Sequence, residues 1–371
     1  MAATGQARVI RAEDVAHMGI TEVLRHMPRV FRAYRSLVAA LRRNRPTLAI
    51  LIDFPDVNFR LAKHCKRLGI PVLWFVSPQL WAWKRRRLRW VQQRVTKMLV
   101  IFPFEEPFYR ARGVDATFVG HPLAALPLPT ISREAYAAEN SLDPASEWIA
   151  LLPGSRQKEV ESNLPGILEA VANLDIRQHH EYLLPVASTL SQPWMADYIA
   201  QWVRSNERNL RRIPVIRLVP DARAALHHAR ASIVASGTAT VQALTIGNPF
   251  IVVYRVSPLT YALAKRLILY PAEIGDPNEL KDADGNLPIA MVNLVAGRRI
   301  VPELINDRFT AAELAAALRP LLADTPIREQ MIADLAEART CLLPTPTANP
   351  IHRVCDIALE LLAPAPQPKL P

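Results

Sequence analysis

The chain has 371 residues, half of them hydrophobic, and carries a formal net charge of +11. This length predicts two domains, and the composition excludes wholesale disorder. No apolar run reaches the roughly 18 residues that span a bilayer, and no apolar signal segment follows Met1. The three cysteines are scattered and fit neither a disulfide framework nor a metal site. This cysteine usage indicates a reducing cytoplasm.

The positive charge is concentrated near the start of the chain. Between Arg25 and Lys97 there are 18 Lys and Arg residues but only two acidic ones, a net charge of +16, which leaves −5 for the rest. A basic segment attached to a slightly acidic remainder predicts an anionic partner. Nucleic acid, an anionic membrane and a phosphorylated substrate all satisfy this requirement.

Residues 21–45 have apolar side chains at three- and four-residue steps, which predicts an amphipathic helix. Pro28 predicts a kink or a second helix start. Arginines, among them Arg25, Arg29 and Arg32, occupy mostly the other faces. The helix either packs on the core with a solvated basic face or lies on anionic lipid headgroups.

Short apolar runs then alternate with helical patterns, which predicts an α/β fold with parallel sheets. The first series of predicted strands is 47–54, 71–76, 98–102 and 117–120, with helices at 60–68 and 105–113. A Pro- and Ala-rich stretch, 123–145, has the character of a linker. The second series of predicted strands is 148–152, 181–185, 215–218, 231–235 and 249–254.

Two such series predict two Rossmann-like lobes with a cleft between them, where ligands bind at the carboxyl ends of strands. We place the first lobe at residues 1–140 and the second, nucleotide-binding lobe at 141–340. A C-terminal helix at 341–363 is expected to cross back, and the Pro-rich tail 364–371 is expected to be disordered.

Asp53 follows a predicted strand of the first lobe, the position where α/β enzymes place chemistry. A carboxylate there can take a proton from a sugar hydroxyl as a general base. The alternative is a cap or turn aspartate. Asp56 is ranked lower because it can cap the next helix.

Two loops of the second lobe each follow a strand and open a helix. Ser236, Gly237 and Thr238 would bring hydroxyl and N–H groups to a helix N-terminus, which favours a phosphate. In the other loop Gly154 permits close approach and Arg156 offers a fork matched to phosphate oxygens. Together they predict a diphosphate site, although both loops can also be ordinary caps.

Several common signatures are missing from the sequence. It contains neither a Gly-x-x-x-x-Gly-Lys-Ser/Thr loop nor Gly-x-Gly-x-x-Gly, which argues against an ATPase or a dehydrogenase. Clusters with metal-ligand spacing are also missing, and the His227-His228 pair fits a helix surface. We therefore expect no cofactor and no bound metal.

An ordered series of short motifs resembles one family, the lipid-A-disaccharide synthases, which are inverting GT-B glycosyltransferases. The resemblance extends from about Met18 to about Leu362. The motifs are Met18–Leu24, Ile52–Asn58, Val76–Trp83, Phe102–Glu105, Phe118–Pro122, Leu152–Arg156, Ala235–Thr240, Tyr254–Pro258 and Asn293–Arg298.

The resemblance implies a reaction in which UDP-2,3-diacylglucosamine donates its sugar to 2,3-diacylglucosamine 1-phosphate. It implies that Asp53 is the catalytic residue. The residues it places on the UDP-sugar side are Arg156, Ser236, Gly237, Thr238, Gln242, Arg255 and Asn293. The residues expected to face the membrane or acceptor are Arg25, Arg29, Phe31, Arg32, Trp81 and Trp83.

The partners implied are the two glycolipid substrates and an anionic membrane, with no nucleic acid and a homodimer as an open alternative. The implied location is the cytoplasm, peripheral on the inner face of the inner membrane.

Three features depart from the family's pattern. The family begins with a strand and a Ser-Gly-Asp loop upstream of the first match, so the first lobe is expected to lack its initial βα unit. Gln242 replaces the usual glutamate that would hold ribose hydroxyls, which predicts weaker bonds. The polar insertion 273–288 precedes Asn293 and is expected to reshape the donor pocket.

Two other functions were weighed against the glycosyltransferase. One is a catalytically silent protein that binds a UDP-sugar or glycolipid. The other is a nucleic-acid-binding protein that uses Lys84–Arg89 with Trp81, Trp83 and Trp90 as stacking faces. We rank both below the enzyme.

Overall fold

The computed structural model describes residues 20–174 and 180–363, with side chains from residue 31 onward except those of 259, 264 and 277. The chain divides into two compact units. The N-terminal lobe comprises Met1–Gly120 with Ala348–Pro371, and the C-terminal lobe comprises His121–Thr347. The predicted disordered tail, 364–371, lies outside the described residues, as do the side chains of Arg25 and Arg29.

The N-terminal lobe contains a parallel sheet of four strands in the order β1-β2-β3-β4. Its strands are β1 (Ala49–Ile52), β2 (Val72–Phe75), β3 (Lys97–Val100) and β4 (Ala116–Phe118). Its helices are α1 (Ile20–Asn44), α2 (Pro55–Arg67), α3 (Leu88–Arg94), α4 (Glu105–Arg110) and, from the end of the chain, α15 (Pro350–Leu362).

The C-terminal lobe contains a six-stranded parallel sheet in the order β10-β9-β8-β5-β6-β7. Its strands are β5 (Glu147–Leu152), β6 (His180–Pro185), β7 (Ile216–Val219), β8 (Ala231–Ala235), β9 (Phe250–Tyr254) and β10 (Glu303–Ile305). Its helices are α5 (Arg133–Asn140), α6 (Gln157–Ala172), α7 (Gln192–Asn206), α8 (Ala222–His228), α9 (Thr238–Ile246), α10 (Pro258–Leu267), α11 (Pro277–Leu280), α12 (Met291–Ala296), α13 (Ala311–Leu322) and α14 (Pro326–Thr340).

Burial explains why the interior strands are continuous apolar runs. All residues of β2 and β8 are buried, and Trp74 and Trp148 are among the fully buried side chains. Helices cover both faces of a parallel sheet, so both faces of its interior strands must be apolar. In contrast, β1 lies at an edge of the described four-stranded sheet, and its Ile50 and Ile52 are about half exposed.

The order of the six strands reverses between β5 and β8. From β5 the chain proceeds outward through β6 and β7, and then returns to place β8 on the other side of β5. Such a switch point separates the loops that follow the two strands and leaves a crevice for ligands. The sequence could not show this crossover, but the α/β class itself is confirmed.

Two predicted elements need correction. The stretch predicted as a linker contains a 3-10 turn at Pro122–Ala125 and then α5, because Ser132 accepts a hydrogen bond from the Ala135 N–H and caps the helix. Pro28 does not start a second helix, since α1 runs from Ile20 to Asn44. The three-residue strand β10 was missed.

Among the helices described, none is both long and apolar enough to cross a bilayer.

Candidate active site

Asp53 lies immediately after β1 in a strained loop. Its backbone N–H donates to the Phe75 carbonyl of β2, which continues the sheet by one residue. Asp53 and Phe54 both adopt the left-handed conformation, with φ of 45° and 43°. Such φ values are costly for residues other than glycine and occur where the surrounding structure enforces them, often at functional sites. The loop leaves the Asp53 side chain exposed.

Asn58, which the sequence analysis did not select, holds this loop. Its side chain is buried in the second turn of α2, and its Nδ2 donates to the carbonyls of Ile52, at 3.1 Å, and Asp53, at 2.6 Å. Its own N–H donates to the Phe54 carbonyl. Asn58 therefore fixes the turn that presents Asp53, and its place in the Ile52–Asn58 motif was the available signal.

The loop after β2 is held by a buried carboxylate. Glu105 Oε1 accepts hydrogen bonds from Ser77 Oγ at 2.6 Å and Trp81 Nε1 at 3.0 Å, while Oε2 accepts from the N–H groups of Ile101 and Phe102. Burial raises the pKa of Glu105 to about 7 despite these four donors. Glu105 thus ties the end of β3 to the loop that follows β2.

The predicted role of Trp81 is wrong, because its side chain is only 1% exposed. Its ring packs edge-on against Phe104 and its indole N–H is used by Glu105. Trp83 is 47% exposed, with Lys84 Nζ 3.9 Å from its ring centroid. Phe31 and Arg32 on α1 are also exposed. Trp81 therefore supports the loop after β2, whereas the side chains of Phe31, Arg32 and Trp83 are exposed.

In the C-terminal lobe, the loop after β5 approaches its own helix closely. Gly154 has a φ of 134°, and a Cβ at this position would lie 2.6 Å from Cβ of Glu159. The Glu159 carboxylate accepts from the Ser155 N–H at 3.1 Å and pairs with Arg156 at 2.7 Å. The Arg156 side chain is 80% exposed. Glu159 therefore orients the backbone and guanidinium donors at the start of α6.

The loop after β8 opens α9 without a side-chain cap. Gly237 is its N-cap residue, with a φ of 141°, and no side chain accepts from the first turn. Ser236 is half-buried, Gly237 and Thr238 are exposed, and half-buried Gln242 lies one turn beyond Thr238. The helix dipole and N–H groups at this end favour an anion. Strand pairing places β8 beside β5, so the two loops are neighbours at the switch point.

Asn163 joins the loop after β5 to the loop after β9. Buried in α6, it donates from Nδ2 to the Pro153 carbonyl and accepts at Oδ1 from the Arg255 N–H. The Arg255 guanidinium lies 4.8 Å from the Phe309 ring centroid and donates to the Phe309 carbonyl. In the sheet order, β9, β8 and β5 are adjacent, so the three loops that follow these strands lie side by side.

Asn293, predicted on the UDP-sugar side, is fully buried in α12. Its Nδ2 donates to the Val301 carbonyl and to Glu303 Oε1, and its Oδ1 accepts from the N–H groups of Ile300 and Val301. Glu303 also accepts from the N–H groups of Ile289 and Ala290, and burial raises its pKa. The side chain of Asn293 thus organises the segment that follows the insertion at 273–288.

The insertion itself is anchored to the same segment. Arg299 donates from Nε to the Leu280 carbonyl and from its terminal nitrogen to the Asn286 carbonyl. Ser236 Oγ lies 3.5 Å from the Ile289 carbonyl. Within the described residues, no group of three or more His, Cys, Asp or Glu side chains is arranged to hold a metal ion.

Solved structures with the same fold include an epimerase bound to a nucleotide sugar. UDP-GlcNAc 2-epimerase from Neisseria meningitidis bound to UDP-GlcNAc has a TM-score of 0.52 at 11% identity, covering 88% of this chain and 80% of that one. MurG from Acinetobacter baumannii has a TM-score of 0.51 at 14% identity, covering 89% and 80%. At these identities the likeness concerns the fold alone. Two Rossmann-like lobes of this kind define the GT-B class.

The family is shown by sequence. A sequence model described as lipid-A-disaccharide synthetase matches residues 1–342. Lipid-A-disaccharide synthase from Acidobacterium capsulatum is 52% identical over 367 residues, 98% of this chain and 87% of that relative. The enzyme of that name from Koribacter versatilis is 44% identical over 339 residues, 91% of this chain and 82% of that relative. The chain belongs to the lipid-A-disaccharide synthase family.

The chain is accordingly a glycosyltransferase of lipid A biosynthesis, as the motifs predicted. Family membership does not favour the catalytically silent binding protein.

Proposed function

We propose that the enzyme transfers the sugar of UDP-2,3-diacylglucosamine to O6 of 2,3-diacylglucosamine 1-phosphate, with inversion at C1 and without a metal. The products are the β-1,6-linked disaccharide 1-phosphate and UDP. The observation that carries this proposal is the arrangement of the C-terminal lobe, where the loops that contain Arg156, Gly237 and Arg255 follow three adjacent strands.

In the proposed mechanism, Asp53 takes the proton from the acceptor hydroxyl as a general base. The acceptor oxygen then bonds to C1 of the donor sugar. The bond from C1 to the diphosphate oxygen breaks, and its electron pair leaves with UDP. The exposed carboxylate of Asp53 and the strain in its loop support this role.

The leaving diphosphate is proposed to bind at the N-termini of α6 and α9. There the backbone N–H groups of the first turn of α9 supply fixed donors, Gly154 permits close approach of the backbone, and Arg156 supplies a planar fork for phosphate oxygens. These groups would stabilise the negative charge that develops on the diphosphate. Gln242, one turn into α9, is proposed to bind the ribose.

Asn293 and Arg255 are proposed to act differently from the other donor-side residues. The bonds of the Asn293 side chain are all internal, and the Arg255 guanidinium lies on Phe309. We assign both to positioning: Asn293 fixes the segment that Ser236 Oγ approaches, and Arg255 fixes the loop after β9.

The enzyme is further proposed to work on the cytoplasmic face of the inner membrane as a peripheral protein and a homodimer. Phe31 is 58% exposed and Trp83 is 47% exposed, and each stands among arginines or lysines. Apolar side chains flanked by cations are suited to the interface of an anionic bilayer.

The test is the Asp53→Asn variant, assayed for disaccharide formation and UDP release in lipid micelles. We expect turnover to fall by about 10³-fold, within the range for loss of a general base. Binding of UDP, measured by calorimetry, should be unchanged because UDP contacts the other lobe.

The matched control is Asp115→Asn, which removes an exposed carboxylate of the same lobe that pairs with Lys97. It should retain turnover within twofold. Full activity in Asp53→Asn would refute the assignment of the base, and a failure of the unmodified enzyme to form disaccharide would refute the reaction.

A further inference from the structure

A cavity of about 370 Å³ lies within the N-terminal lobe, between α1, α2 and α3. Tyr34 of α1 and Trp90 of α3 are on its wall, together with Phe59 of α2. Its volume is at the lower end for small-molecule sites. The basic side chains that line it are Arg60, Lys63, Arg67, Arg87 and Arg94, together with His64. We name this cavity the basic pocket.

The charge of the basic pocket is unbalanced. Asp56 is the one carboxylate among its lining residues, against five Lys and Arg side chains, which gives a net charge of +4 with His64 neutral. Asp56 pairs with Arg87 at 2.7 Å. Arg60, Lys63 and Arg67 form no ion pair with any carboxylate in the part of the chain that the structure describes. These three remain available to an anion.

The spacing along α2 brings these cations together. Arg60, Lys63 and Arg67 are three and four residues apart, so they share one face of the helix. That face turns toward a concavity, where repulsion between like charges is stronger than on an open, fully solvated face. A cluster of this kind raises the local concentration of anions.

Two further arginines are held in place on the wall. The guanidinium carbon of Arg94 lies 5.1 Å from the Trp90 ring centroid, and that of Arg87 lies 5.6 Å from it. Arg94 also donates to the Phe59 carbonyl at 3.1 Å. Because stacking on an aromatic ring restricts a guanidinium, less entropy is lost when it binds an oxyanion.

His64 reports the potential inside the pocket. Its ring centroid is 6.2 Å from that of Tyr34, and its pKa is lowered by burial and then by Arg42, Arg67 and Lys63. Arg42 belongs to α1, so cations on two packed helices face this imidazole. A bound anion would offset their repulsion, and the pKa of His64 would rise on binding.

We propose that the basic pocket binds the phosphate group of a phosphorylated lipid or sugar, with Arg60, Lys63 and Arg67 as its principal donors. The pocket is separate from the diphosphate loops, which belong to the other lobe. Two sources carry this chemistry: the 1-phosphate of the acceptor, which rests on the proposed function, and the phosphate of a membrane headgroup.

The first experiment is an NMR titration of His64 in the full chain, with inorganic phosphate and with glucosamine 1-phosphate as probes. We expect both to raise the pKa of His64. In the double variant Arg60→Gln/Arg67→Gln the dissociation constant should increase by at least about tenfold, as expected for the loss of charge-assisted hydrogen bonds.

The matched control is Arg45→Gln/Lys66→Gln, which removes the same charge from two residues of the same lobe that are likewise exposed but do not line the pocket. It should bind phosphate within about twofold of the unmodified chain. Equal weakening in both double variants, or no response of His64 to phosphate, would overturn the proposal. Circular dichroism of each variant would verify that α2 remains folded.

The second experiment identifies the source of the phosphate. If the pocket binds the 1-phosphate of the acceptor, KM for the acceptor should rise at least tenfold in Arg60→Gln/Arg67→Gln, while KM for the donor should be unchanged. If the pocket binds a membrane headgroup instead, a smaller fraction of Arg60→Gln/Arg67→Gln than of the control variant should sediment with phosphatidylglycerol vesicles. If neither quantity differs from the control, the pocket has no such ligand and the proposal fails.

The titration of His64 requires no turnover. A chain that forms no disaccharide can therefore still bind phosphate in the basic pocket, so failure of the proposed function and failure of this inference are distinguishable.

Discussion

The loops that follow β1 and β5 both connect a strand to a helix, but they use different residue types in unusual backbone conformations. Each leaves a strand and enters a helix, and each is fixed by a buried asparagine of that helix, Asn58 in one lobe and Asn163 in the other. The first loop forces Asp53 and Phe54 into the left-handed region, whereas the second places Gly154 at a φ of 134°.

This difference follows from what each loop has to present. A glycine brings backbone N–H groups close to a ligand but offers no side chain. The general base that we propose must be a side chain, which is consistent with an aspartate at a position where glycine would be less strained. Backbone strain thus accompanies the exposed carboxylate that we propose as the base, and a glycine accompanies the loop that we propose to bind an anion.

The largest change in stability is expected at Gly154, in the loop after β5. In Gly154→Ala the new Cβ would lie 2.6 Å from Cβ of Glu159, and the residue would be held at an unfavourable φ. Combining overlap and backbone strain, we expect the free energy of unfolding in urea to fall by about 4 kcal/mol.

Gly113→Ala is the control, since Gly113 also has a positive φ but meets nothing within 4 Å. Gly113→Ala should lower the free energy of unfolding by only about 1 kcal/mol, from backbone strain alone. Equal losses in the two variants would mean that the close approach to Glu159 is unimportant.

The loop after β2 is held by the buried carboxylate of Glu105 and not by an asparagine. The stability that this contact contributes should therefore depend on pH. The folded-state pKa of Glu105 is raised from 4.5 to about 7, so the folded protein binds more protons than the unfolded chain between these values. The free energy of unfolding should therefore be highest below this window and fall as the pH rises through it, by about 3 kcal/mol in total.

Glu105→Gln removes this titration while it keeps an acceptor for the Ile101 and Phe102 N–H groups. Urea unfolding at about pH 5 and about pH 8 should show a smaller difference in the variant than in the unmodified chain. Identical differences in the two proteins would show that another group causes the pH dependence.

The smallest change in stability is expected from relief of backbone strain beside Asp53, the proposed general base. Phe54 is 52% exposed, so Phe54→Gly sacrifices little burial and removes the penalty of a φ of 43°. After the entropic cost of glycine is deducted, we expect a gain of about 0.5 kcal/mol in the free energy of unfolding.

Phe54→Ala serves as the comparison, because alanine keeps the same backbone penalty. It should show no gain. If thermal unfolding ranks alanine above glycine, the left-handed pair after β1 is not strained and the contrast between the lobes disappears.

Much of the fold was predictable because period and composition are local properties. The strand β8 has the predicted bounds, and the other predicted strands differ from the structure by a few residues at their ends. The helix after Ser132 and the short strand β10 were missed, because a Pro-rich composition concealed the cap and three residues are too few for a pattern.

The candidate site was predictable only in its motifs. Asp53 and the loops near Gly154 and Ser236 follow strands, as the patterns indicated. Trp81 was misassigned because a sequence motif does not show burial, and its partner Glu105 lies 24 residues away. Asn163 was missed since its hydrogen bond to Arg255 spans 92 residues.

The sequence by itself determined the alternation of strands and helices, the family, the glycines in the loops after β5 and β8 and the excess of basic residues in the first lobe. Only the tertiary structure decided that β8 returns beside β5, that buried asparagines and Glu105 hold the loops, and that cations of α2 face a cavity with one carboxylate. The reason is physical: periodicity and charge depend on neighbouring residues, whereas burial and hydrogen-bond partners depend on segments that folding brings together.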